Sequence, residues 1–142
     1  MNAGPDIEEN LAFAEEKIRE AAKAGARFIA TPENTCHMLA PGKSKLETAP
    51  AFEDHAAMPQ FTALAKELKV WILLGSISVK ISDEQIANRS VMISEEGEVV
   101  AIYDKIHMFD VDLAGGESYR ESKNVRPGKH AVLADLPWGK CG

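Results

Sequence analysis

The sequence predicts an α/β fold, and three observations carry that expectation. Helical and strand-like apolar patterns alternate along the first half of the chain, two β-prone runs flank a glycine-bearing turn at Gly97, and no stretch has the composition of a linker to a second domain.

The first helix is predicted from Asp6, which is placed to cap a turn containing Glu9, and Leu11, Ala14, Ile18, Ala21 and Ala22 recur on one face until Gly25 ends it. Arg27–Thr31 is short, mostly apolar and bounded by Pro32, as expected of a buried strand, so Glu33 falls just past that strand's carboxyl end. A Gly/Pro/Lys-rich loop from Ala40 to Ala51 precedes a second helix. Pro59 suits its first turn, and Phe61, Leu64, Ala65 and Leu68 follow the i, i+3, i+4, i+7 spacing. Val70–Val79 reads as a covered strand. Ser90–Ile93 and Val99–Tyr103 read as a hairpin closed by Ser94-Glu95-Glu96-Gly97-Glu98. Asp104–His130 reads as a long polar loop, Ala131–Leu136 as a strand, and Pro137-Trp138-Gly139-Lys140 as a turn.

Composition narrows the function classes. With 142 residues, 45% hydrophobic and 27% charged, the chain matches a globular domain rather than a disordered or fibrous segment. A net charge of −6 argues against general nucleic-acid or anionic-membrane partners, which recruit dense cationic patches. The apolar run Val70–Leu74 is stopped by Gly75, far short of the ~20 residues of a membrane-spanning helix. Met1 to Pro5 lacks the basic and apolar regions of a secretory signal. Two cysteines, Cys36 and Cys141, are too few for a disulfide framework and read as thiols of a reducing compartment, with the cytoplasm as the expected location.

Taken singly, the polar candidates are ordinary. Glu33 in Thr31-Pro32-Glu33-Asn34 is a carboxylate at a strand end, where open α/β sheets gather ligands. Lys105 in Tyr103-Asp104-Lys105-Ile106-His107 reads most simply as a surface charge. Their order is more informative. The first helix, Pro32-Glu33-Asn34, the hairpin, Tyr103 through Asp112, Gly115-Gly116-Glu117-Ser118-Tyr119-Arg120-Glu121-Ser122, Arg126-Pro127-Gly128 and Pro137-Trp138-Gly139-Lys140 together resemble the nitrilase, or carbon-nitrogen hydrolase, superfamily. The stretch from Phe109 to Ser122 most resembles the branch holding deaminated-glutathione amidase and ω-amidase.

That resemblance implies half of an α-β-β-α sandwich, with residues 1–142 forming one partial domain truncated at both ends. The first strand would precede Met1, and the nucleophilic cysteine would follow Gly142, because Gly139-Lys140 matches the start of the family's nucleophile segment. Cys141 then stands where an aliphatic residue is usual and is not the nucleophile, and Ala114 replaces a proline common in close relatives. The implied chemistry is cleavage of a linear amide of a small carboxylate-bearing substrate through a cysteine thioester, with no cofactor and with a homo-oligomeric full-length enzyme. Glu33 matches the general base and acid, and Lys105 the oxyanion-stabilising lysine. Glu121 matches the second glutamate that positions substrate and lysine, with Glu117 as the competing position. Tyr103 and His107 belong to the pattern around the lysine and read as packed or hydrogen-bonded supports.

The residue types suit the reaction on physical grounds. A thiol with a pKa near ~8.5 needs a base to supply thiolate. Charge collecting on the attacked carbonyl oxygen is stabilised by a fixed cation in a dry pocket. The leaving ammonia and the incoming water need a proton carrier, a task one carboxyl group performs in turn. Arg120 and Arg126 are candidate partners for a substrate carboxylate, which the arginine fork matches, although each also reads as an exposed loop charge.

Two rival readings come from other classes. His107, Asp110 and Asp112 are donors that could hold a divalent metal in a metal-dependent hydrolase. The alternation of Phe109, Val111 and Leu113 explains the same aspartates as the wet face of a strand. The other rival is a catalytically inactive truncated module acting in oligomerisation. Such a half-sandwich is expected to expose apolar sheet surface.

Overall fold

The computed structural model describes residues 1–39 and 44–142, so the first part of the expected Ala40–Ala51 loop lies outside the described residues. Helix α1 spans Ile7–Lys23, and the Asp6 side chain caps it by accepting from the Glu9 backbone N–H at 3.0 Å. Its stripe of Leu11, Ala14 and Ile18 is buried, as the spacing predicts. Strand β1 (Phe28–Ala30) follows, then helix α2 (Ala57–Leu68) and strand β2 (Trp71–Lys80). Helix α2 holds Pro59 in its first turn, as expected, and the buried His55 Nδ1 accepts the backbone N–H of Ala57 where the helix starts.

Strand β3 spans Ile86–Ile93 and β4 Val99–Asp104, giving one sheet in the order β1-β2-β3-β4. The β1–β2 pair is parallel and the others antiparallel. Strand β3 is longer than the expected Ser90–Ile93, since Ile86–Arg89 pairs with Ile77–Lys80 of β2 beyond an irregularity at Gly75-Ser76. That irregularity shifts the side-chain parity of β2. Ile72 and Leu74 before it and Ile77 and Val79 after it all enter one core with Val91, Ile93, Phe61, Leu64 and the α1 stripe. The β3–β4 hairpin closes where the sequence places it: Gly97 has φ +81°, and a β-carbon there would lie 2.5 Å from the Thr62 carbonyl oxygen of α2.

The second sheet face is divided. At one end Trp71 and Met92 pack with Ala134, Leu73, Ala101 and Cys141. At the other, past the irregularity, Ser78 pairs with Asn88. The expected strand Ala131–Leu136 is confined to β7 (Ala134–Leu136), which pairs with β8 (Gly139–Cys141) across a turn made only by Pro137 and Trp138.

The segment expected as a loop, Asp104–His130, is mostly loop but carries three short elements. Strands β5 (Asp110–Asp112) and β6 (Ser118–Arg120) form a small hairpin, and a 3-10 turn covers Glu121–Lys123. Val125 then pairs with Ile86 of β3, with the Ile86 N–H donating to Asn124 O and the Arg126 N–H to Ile86 O, each at 2.9 Å. These main-chain ties, which no periodicity announces, hold this segment on the main sheet. Among the described residues no helix is long and apolar enough to cross a membrane.

Candidate active site

Glu33 is aimed by a network of short polar contacts at the end of β1. The Thr35 hydroxyl donates to Pro32 O at 2.8 Å, which leaves the Thr31 hydroxyl to donate to Thr35 Oγ1 at 2.6 Å while accepting the Gly75 N–H at 3.0 Å. Asn34 takes a left-handed conformation with φ +57°, and its N–H donates to Ser76 Oγ. The irregular stretch of β2 is therefore the template for the Glu33 turn. Gly75 is required there, since a β-carbon would lie 2.0 Å from Thr31 O.

Lys105 is fixed through its backbone: its N–H donates to Asn88 O at 2.9 Å and its carbonyl accepts the Gly128 N–H at 2.8 Å. Its ammonium then reaches Glu33 Oε1 at 2.9 Å and Glu121 Oε2 at 3.0 Å. Glu121 is held in turn by the Phe109 N–H, which donates to Oε2 at 2.6 Å. The three residues singled out in the sequence thus meet in one place, 72 positions separating the first two.

The electrostatics follow from these contacts. The hydrogen bond from Lys105 holds the Glu33 carboxyl below the usual range; partial burial opposes this and the Asn88 amide adds to it. For Lys105, burial favours the neutral form, but the bonds to Glu33 and Glu121 outweigh it and the net shift is upward. The pair is ionised at neutral pH. It is also wetter than the expected dry pocket, because the Glu33 side chain retains 52% of its exposure.

Asn88 and Lys45 are members of the site that the sequence did not signal. The Asn88 amide nitrogen donates to Glu33 Oε1 at 2.7 Å and approaches Glu121 Oε1 at 3.4 Å. It was hidden because the polar run Asn88-Arg89 breaks the apolar pattern by which the strand was recognised. Lys45, in a 3-10 turn (Lys45–Glu47), donates to Asn34 Oδ1. Burial pushes its ammonium down to about 8, against the pull of Glu33 and Glu121.

These groups line two joined cavities. The larger, about 610 Å³, is bordered by Glu33, Lys105, Glu121, Phe109, Tyr119 and Arg120. The smaller, about 220 Å³, is bordered by Lys45, Ser78, Asn88 and Val125 and shares Asn34, Ser44, Arg120, Glu121 and Asn124 with the first.

Other candidates lie elsewhere or are otherwise engaged. Arg120 borders the large cavity, but its guanidinium is bound to both Asp112 oxygens at 2.7 Å. Arg126 contributes its backbone N–H to the Ile86 tie and borders neither cavity. Tyr103 accepts the Ile106 N–H on its hydroxyl, a support for the turn carrying Lys105. His107 is exposed beside an apolar concavity of about 500 Å³ formed with Leu73, Met92, Ala101 and Leu133, of which Leu133 is the exposed member. Glu117 only approaches the Tyr119 hydroxyl, at 3.4 Å, and is not at the Lys105 ammonium.

The metal reading fails on geometry. Asp110 accepts from Ser122, and Asp112 from Ser118 and Arg120, so the hairpin consumes both carboxylates; among the described residues no three metal-ligating side chains gather. Neither cysteine borders the Glu33 cavities. Cys36 is buried, its thiol pushed up to about 12, and Cys141 lines the apolar concavity.

Comparison with known proteins converges on one family. The carbon-nitrogen hydrolase family model matches residues 1–142. A deaminated glutathione amidase of Yersinia enterocolitica is 34% identical over 143 aligned positions, covering 99% of this chain and 49% of its own. Among solved structures, the NitFhit protein of C. elegans superposes with a TM-score of 0.83 at 23% identity, over 99% of this chain and 34% of its own. An amidase of Nesterenkonia, seen with acrylamide added at its active-site cysteine, gives 0.78 at 20% identity, over 96% and 50%. The chain spans about half the length of the curated relatives it matches. With the family match running through every element that builds the Glu33–Lys105–Glu121 cluster, the chain belongs to the carbon-nitrogen hydrolase family.

Proposed function

We propose that this chain supplies the base and the oxyanion cation of an amidase that cleaves the linear amide of a small carboxylate-bearing molecule through a cysteine thioester. The thiol comes from outside these 142 residues. The observation that carries the reading is the Lys105 ammonium, held 2.9 Å from Glu33 and 3.0 Å from Glu121 at the edge of a cavity large enough for a small substrate. The family membership and the deaminated glutathione amidase relative support the reaction class.

In this mechanism Glu33, ionised at neutral pH, takes the thiol proton as sulfur adds to the amide carbon. The carbonyl oxygen becomes an oxyanion and draws the Lys105 ammonium, an interaction of a kind worth about 10²–10³ in rate. As Lys105 turns to the oxyanion, Glu33 loses its principal hydrogen-bond donor and becomes more basic while it carries the proton. Glu33 then protonates the departing ammonia, and the water that hydrolyses the thioester gives its proton to the same carboxylate. Glu121 holds Lys105 charged and in place. The apolar concavity on the same face of the sheet receives the remainder of the sandwich. The unpaired thiols of Cys36 and Cys141 suit a cytoplasmic enzyme.

The test joins the chain to a thiol-bearing C-terminal half, in one polypeptide or by co-expression, and measures ammonia release from succinamate. Glu33→Gln and Lys105→Met are each expected to lower kcat by about 10²–10³ or more while leaving the circular dichroism spectrum unchanged. Turnover at the parental rate in Lys105→Met refutes the proposal.

A further inference from the structure

The smaller cavity contains a cation for which the proposed reaction has no use. Lys45 borders it together with Ser78, Asn88 and Asn124, and the side chain is tied to Asn34 Oδ1, the residue after Glu33. Among the described residues no carboxylate lies within ion-pair distance of Lys45, whereas Lys105 next to it has two. Neutral acceptors are poor compensation for a largely buried ammonium, and a single carboxylate placed against it would offset much of the desolvation.

The two arginines that the sequence offers for this role are worse placed. Arg120 is occupied by Asp112, and Arg126 borders neither cavity. Asn124 and Ser44 are hydrogen-bonded to each other at 2.8 Å at the junction of the two cavities, giving neutral polar groups beside Lys45.

We propose that Lys45 is the residue that binds the carboxylate of the substrate, with the smaller cavity as the anion subsite and the larger one holding the amide beside Glu33 and Lys105. The assignment rests on the amidase reading for the word substrate, but the subsite itself is a binding site that can be measured without turnover. The ammonium is pushed down to about 8 in the empty site, so an anion that binds there also takes up a proton on Lys45 when the pH is above that value. The other charged or titratable groups around Lys45 are Glu33, Glu121, Lys105, Arg120 and the buried His37, whose imidazole is held below its ordinary value by burial and by Lys45. Both glutamates repel an anion, so the subsite depends on Lys45 being protonated.

The experiment is calorimetric titration of the 142-residue chain with succinate, which has carboxylates and no amide, and with butyramide, which has an amide and no charge. Succinate is expected to bind at pH 6.5, and Lys45→Met to weaken it by about 10–100-fold, the range for a lost hydrogen bond to a charged group. Butyramide binding is expected to be unchanged by the substitution. At pH 9.5 the parental chain loses most of its succinate affinity and Lys45→Arg keeps it, because guanidinium stays charged. Lys45→Gln serves as a second neutral variant should Lys45→Met fail to fold. Succinate binding that survives in the neutral variants, or its absence from the parental chain at pH 6.5, overturns the proposal. The two readings fail separately. Succinate binding through Lys45 in an assembled enzyme that hydrolyses no amide refutes only the amidase, while butyramide hydrolysis without succinate binding refutes only the subsite.

Discussion

The amide of Asn88 donates to Glu33 Oε1 at 2.7 Å from the middle of β3, so a neutral strand residue shares the proposed general base with Lys105. Asn88 is itself buried and paired with Ser78, which fixes its position. Two substitutions separate its contributions. Asn88→Ala removes a donor and is expected to lower kcat/KM by about tenfold in the assembled enzyme. Asn88→Asp replaces the donor by a like charge, which favours protonated Glu33 and moves the acid limb of the pH-rate profile upward. A profile identical to the parent in Asn88→Asp would show that Asn88 does not act on Glu33.

The Glu33–Lys105 pair also predicts a stability window. The Glu33 carboxyl is held below its ordinary value of 4.5, so its contribution is present above that pH and is lost as pH falls through the lowered value. Lys105 is raised above 10.5, so its contribution is present below that pH and disappears as pH rises through the raised value. Urea unfolding of the parent and Glu33→Gln should therefore differ by a constant amount between about pH 5 and 10 and converge at lower pH. The difference is expected to stay under about 1 kcal/mol, since Glu33 is half exposed. A gap that widens on acidification contradicts the pairing.

Gly75→Ala tests the template under the Glu33 turn. Its β-carbon would collide with the backbone of Thr31 and Pro32, at 2.0 Å and 2.8 Å, and neither can move without carrying Glu33 with it. The expected result is a loss of about 1–3 kcal/mol of stability together with a fall in kcat larger than the fall in folded fraction. Gly4→Ala, with nothing within 4 Å, is the control that should be silent. Parental stability in Gly75→Ala would mean that the turn does not lean on β2 as described.

Arg89 and Asp104 face each other across β3 and β4 and form a two-bonded fork at 2.7 and 3.0 Å, with side chains only 17% and 22% exposed. The guanidinium also lies over the Phe52 ring. Arg89→Met is expected to destabilise by about 1.5–3 kcal/mol, and Arg89→Lys by a similar or slightly smaller amount because an ammonium cannot reproduce the fork. Chemical denaturation measures both; an Arg89→Lys variant of full stability would reduce the fork to a surface charge pair.

The sequence by itself determined the parts governed by local spacing. The α1 and α2 stripes, the Asp6 cap and the Gly97 hairpin each depend on residues within a few positions of one another, and each appears where the pattern puts it. Resemblance added the nomination of Glu33, Lys105 and Glu121, but spacing alone gives no reason for residues so far apart to meet. Tertiary structure decided that they do. It also decided the length of β3, the ordering of Asp104–Val125 and the membership of Asn88 and Lys45, all of which rest on hydrogen bonds between segments remote in sequence. Partners and position decided the rest: Arg120 is already bound to Asp112, Arg126 borders neither cavity, and Lys45 borders one of them with no carboxylate at ion-pair distance among the described residues, and only a folded chain sets such placements.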